Sequence, residues 1–134
     1  MILGHPAISN TMISYTLNAK SDLSTYSEQD VFDAIDELDG VKNAYMSLWN
    51  DEYQQGILVS GGLNGRVLCE WNSPTQSSIL IDPNDTEEPI ALSLVDPPDF
   101  PSQAVVCKEW AKKACAVFLQ TGKLDDSLSW KHWR

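Results

Sequence analysis

The segment from Gly56 to Trp71 narrows the choice of fold more than any other part of the chain. Gly56 to Leu63 is apolar and β-prone, Asn64-Gly65 follows, and Arg66 to Trp71 is apolar again. Asn-Gly between two such runs is the strongest short-range signal for a hairpin, because both residues tolerate the left-handed backbone of a type I′ turn. The returning run places Val67, Cys69 and Trp71 on one face and Arg66 and Glu70 on the other. Other candidate strands flank this hairpin. Ala44, Met46 and Leu48 alternate with Tyr45, Ser47 and Trp49, and Asn50-Asp51-Glu52 forms the turn after them. Ser78 to Ile81 is short and β-like and ends in the turn Asp82-Pro83-Asn84-Asp85. Ile90 to Val95 and Thr11 to Leu17 are further candidates, and Pro97, Pro98 and Pro101 keep a stretch open without regular structure.

Two helices complete the pattern. Ser27 and Asp30 have the spacing of a capping box with a short acid, and Tyr26 and Val31 occupy the staple positions. Val31, Ile35 and Leu38 recur at helical spacing, broadened by Phe32 and Ala34, while Asp33, Asp36 and Glu37 cover the outer side. Gly40 suits a left-handed stop. The second helix runs over 108–121, with Ala111, Ala114 or Cys115, and Phe118 as its apolar stripe and Gly122 as its stop. Cys107 is an unusual residue for its N-cap. Leu128, Trp130 and Trp133 in the tail are expected to fold back on the body. The expectation is a single α+β domain over 1–134. It has an antiparallel meander of five or six strands, packed with two main helices at about 28–39 and 108–121.

Composition limits function. With 19 acidic and 9 basic residues among 134, the net charge is -10, which disfavours direct binding to nucleic acid or anionic lipid. The odd count of cysteines, Cys69, Cys107 and Cys115, argues against a secreted disulfide framework. Cys107 and Cys115 are eight apart on a helix, about 12 Å at 1.5 Å per residue, too far to bridge. The start of the chain has neither a basic region nor a long apolar run, so the expected address is cytoplasmic, with no membrane span.

A search for chemistry is mostly negative. Gly61-Gly62-Leu63-Asn64-Gly65 leads into a strand, not a helix, and no Lys-Ser or Lys-Thr follows, so it is not a phosphate loop. His5 and His132 lie near opposite ends, with no partner at ligand spacing. The acidic pairs Asp51-Glu52, Glu87-Glu88 and Asp125-Asp126 fall in turns, where solvated carboxylates are expected. Asp82-Pro83-Asn84-Asp85 lacks the spacing and closing Glu of a calcium loop, and no Gly-x-Ser-x-Gly is present. The expectation is a protein that is not an enzyme and needs no cofactor or metal.

Charge distribution and aromatic residues carry more information. Between Ser21 and Phe100 there are 16 acidic residues against Lys42 and Arg66, whereas the residues from Pro101 onward carry a net +3. Such segregation is either a solvated face or a surface that captures a basic groove. Trp49, Tyr53, Trp71, Trp130 and Trp133 lie near turns and in the tail. Most are expected to pack in the core, and Tyr53, after Asp51-Glu52, is the best candidate for exposure.

The C-terminal pattern Val106-Cys107-Lys108-Glu109-Trp110-Ala111, Ala114, Phe118-Leu119, Thr121-Gly122 and Leu128-Ser129-Trp130 resembles the first-numbered family of immunity proteins from bacterial polymorphic toxin systems. Tyr45 to Leu48, Ile57 to Gly62 and Val67 to Trp71 resemble that family's strands, and Cys107 departs from its usual Ser. The resemblance spans roughly Asp30 to Trp130 and rests on packing residues. It implies a small cytoplasmic antidote that silences a cognate toxin, often a nucleic-acid deaminase. A toxin of that kind has a cationic groove toward which an acidic inhibitor is steered. Charge and turn position select Asp51, Glu52, Tyr53, Asp82, Asp85, Glu87 and Glu88 as candidate toxin contacts. When free, the protein is expected to be a monomer or weak dimer. The alternatives are a small adaptor that pairs with itself and an enzyme with an unrecognised cleft.

Overall fold

The structure, a computed structural model, describes residues 13–17, 27–43, 45–83 and 104–132. It is an α+β fold built on one antiparallel sheet. The strands are β1 (Ile13–Leu17), β2 (Tyr45–Asn50), β3 (Gln55–Gly61), β4 (Arg66–Asn72), β5 (Ser77–Leu80), β6 (Val106–Cys107) and β7 (Trp130–His132). Their spatial order is β1-β2-β3-β4-β5-β7, and β6 pairs with the start of β4. The helices α1 (Glu28–Glu37) and α2 (Lys108–Thr121) meet the expected spans closely. The candidate strand at 90–95 and the proline stretch lie outside the described residues, as do Tyr26 and Trp133.

Both helices lie on one face of the sheet. Val31, Ala34, Ile35 and Leu38 around α1 and Ala111, Ala114, Cys115 and Phe118 of α2 share one buried cluster with Met46, Leu48, Ile57, Val59, Val67, Cys69 and Trp71. The strand residues come from alternate positions, as a pleated ribbon requires. β4 is buried on its other face too, where Leu68 joins Ile79, Ala104 and Val105 in a smaller cluster. Glu70, on that same face, is buried as well.

The hairpin exists, but its turn differs from expectation. β3 stops at Gly61 instead of Leu63, and Asn64-Gly65 is not a two-residue turn. Gly62 N–H donates to the Arg66 carbonyl at 2.9 Å, Gly65 N–H donates to the Gly62 carbonyl at 3.0 Å, and Gly65 has φ 74°. This is a three-residue loop that ends in a left-handed residue. Gly62, at the foot of this loop, also makes a long-range contact. A Cβ on Gly62 would lie 2.3 Å from the Leu38 carbonyl oxygen, and Gly62 has φ +109°. The end of α1 therefore presses on the hairpin, and only glycine admits the contact.

The start of α1 follows its local signals. Asp30 N–H donates to Ser27 Oγ at 3.1 Å, and Ser27 N–H donates to Asp30 Oδ2 at 2.8 Å. Its end does not, because Gly40 is not the stop. Leu38 caps the helix in an extended conformation, and Gly40, φ 75°, lies in the following turn. The last carbonyls of a helix have no partner within it. Here Lys108 Nζ, from α2, donates to the carbonyls of Asp36 and Leu38, both at 2.8 Å. Beyond them the Asp39 carboxylate accepts N–H bonds from Val41, Lys42 and Asn43 at 2.8–3.1 Å.

Those backbone donors, led by Val41 and Asn43, hold Asp39 below its ordinary carboxylate value. A carboxylate whose pKa is depressed on folding adds stability that is complete above its unfolded value. That stability is lost as pH falls through the lower, folded value. An NMR titration is expected to show Asp39 protonating at lower pH than in a peptide carrying the same residues.

α2 ends as expected. Gly122 takes the left-handed conformation at φ 72°, and its N–H donates to the Phe118 carbonyl at 2.7 Å. Its N-cap, Cys107, makes no side-chain cap bond. The tail folds back as β7, a strand with no distinct sequence signal. Trp130 packs against the main cluster and donates its indole N–H to the Asp125 carbonyl at 2.9 Å. Asp125 is not the solvated turn residue expected. It is buried, and its Oδ1 accepts from the backbone N–H and hydroxyl of Ser127 at 2.9 and 2.6 Å.

Candidate functional site

Asp51, Glu52 and Tyr53 share the turn between β2 and β3, and all three are exposed. Asn50, the last residue of β2, builds this turn. It is buried, and its Oδ1 accepts N–H bonds from Glu52 at 2.9 Å and Tyr53 at 3.3 Å. An Asn side chain that replaces a backbone acceptor in this way fixes a tight turn. Gln54 then takes a left-handed conformation, φ 55°, and its Nε2 donates to the Asp51 carbonyl at 2.7 Å.

The turn rests on the end of α2. A Cβ on Gly122 would meet Asn50 Nδ2 at 2.5 Å and the Tyr53 ring at 3.3 Å. Lys123 Nζ stands 6.0 Å from the centre of that ring, at the edge of cation–π range. Tyr53 is nonetheless 48% exposed, and among the described residues it is the one Phe, Trp or Tyr side chain that is exposed. The turn therefore presents two carboxylates and a phenol on a backbone whose side-chain and helix-end contacts restrict its motion.

Asp82 lies elsewhere. It follows β5, half-buried, beside Arg66, Val106, Cys107 and Trp110, which line a cleft of about 140 Å³ with it. Arg66 Nη2 donates to the Val105 carbonyl at 2.8 Å. Arg66 begins β4, and Asn72 at its far end pairs with Gly56 next to the Asp51 turn. Six residue steps of strand separate these ends, about 20 Å. The expected contacts thus divide between opposite ends of the sheet, and Asp85, Glu87 and Glu88 lie outside the described residues.

The charge segregation along the chain is partly closed in space. Lys112 Nζ lies 2.8 Å from Asp36 Oδ1 and 3.2 Å from Glu109 Oε1. The hydrogen bond to Asp36 raises the Lys112 pKa against the opposing effect of its desolvation. Asp33 and Glu37 remain exposed on the outer side of α1, with Gln29 Nε2 donating to Asp33 at 2.8 Å.

The thiols are unequal. Cys69 and Cys115 are buried in the core, while Cys107 is exposed. Burial pushes Cys115 up to about 12, and burial, with the neighbouring Cys115 and Glu70, pushes Cys69 well above its ordinary value. A protonated, inaccessible thiol is inert. Ellman's reagent is therefore expected to count one fast thiol in the native protein and three in denaturant, with Cys107→Ser removing the fast one. Among the described residues no group of three or more His, Cys, Asp or Glu side chains is arranged to hold a metal, and no helix is long and apolar enough to cross a membrane.

Neither the protein-family models nor the curated proteins contain a match to this chain.

Proposed function

We propose that this protein is an immunity protein of the cytoplasm. It binds a cognate bacterial toxin through an acidic surface and occludes the toxin's active site. The observation that carries this reading is the braced turn at Asp51, Glu52 and Tyr53, which projects from a chain with a net charge of -10. Tyrosine is enriched among the residues that dominate binding energy, and a turn already held in one conformation loses little entropy on docking. Its Asp51 and Glu52, with the chain's net negative charge, steer the encounter toward a cationic groove, an effect that raises association rates by ~10–10³-fold. A toxin that acts on nucleic acid has such a groove. The resemblance of 106–130 to one immunity family supports the same reading, and steric blockade asks for no catalytic group.

A stable inhibitor interface covers about 800 Å² on each partner. A patch of that size centred on the turn reaches its flanking strands and the end of α2. The test is co-purification with the product of the neighbouring open reading frame. A 1:1 complex that dissociates as salt rises supports the proposal. Self-association of this chain with no affinity for that product favours the adaptor reading instead.

A further inference from the structure

We draw no further inference here: the strongest candidate, the cleft where the Cys107 thiol at the start of α2 meets Arg66, Asp82 and Trp110, joins a lone cysteine to a helix N-terminus, and nothing in the structure marks a ligand there.

Discussion

Truncating Phe118 to alanine is expected to destabilise the protein by about 3–5 kcal/mol, the range for deleting a buried aromatic ring. Phe118 is fully buried and lies in the one cluster that joins both helices to the sheet. Its loss opens a cavity among residues from several elements, so no single side chain can move to refill it. Domains of this size have about 5–15 kcal/mol in total, so the variant loses a large fraction of its stability. Urea unfolding measures the effect as a lower midpoint at an unchanged slope. A loss under about 1 kcal/mol would mean that α2 does not pack across the sheet as described.

Changing the turn is expected to act on binding more than on folding. Tyr53→Ala should weaken the toxin complex by about 2 kcal/mol or more, roughly 30-fold, as the loss of an aromatic anchor does. Adding Asp51→Lys and Glu52→Lys should slow association further and flatten its salt dependence, because steering acts on the on-rate. Asp51 and Glu52 are exposed, so their substitution should leave stability within about 0.5 kcal/mol of the parent, while Tyr53→Ala, which gives up the ring's packing beside Gly122, should cost about 1 kcal/mol and leave the protein folded. Asp82→Lys, at the other end of the sheet, provides the contrast. An equal effect there would move the interface to the Arg66 end, and unchanged affinity in the triple variant would remove the turn from it. Surface plasmon resonance across a salt series, with circular dichroism as the folding control, separates these results.

What the sequence foretold followed range. The Ser27–Asp30 cap and the Gly122 stop are decided within a few residues, and both were legible. The end of α1 is held by Lys108, seventy residues from Leu38, together with the turn that Asp39 and Asn43 build, so Gly40 does not mark the stop. The hairpin was legible from Asn64-Gly65, but its turn type was not. Nor was the need for glycine at 62, which comes from the Leu38 carbonyl, distant in sequence. β6 and β7 have two and three residues, too few for any period, and exist because β4 and β5 offer pairing edges. The exposure of Tyr53 could be inferred from its place after two acids at a turn. Its contact with Gly122 and Lys123 could not, because it depends on where α2 ends in space. For the same reason Asp82 was grouped with residues that a full strand length now separates from it.

The central claim is that this chain protects by docking an acidic surface onto a toxic enzyme. Growth of cells that express the neighbouring gene's product measures that directly. Co-expression of the parent protein should restore growth, and the Tyr53→Ala/Asp51→Lys/Glu52→Lys variant, folded and equally abundant, should fail to do so. Equal growth with and without the parent protein would contradict the account.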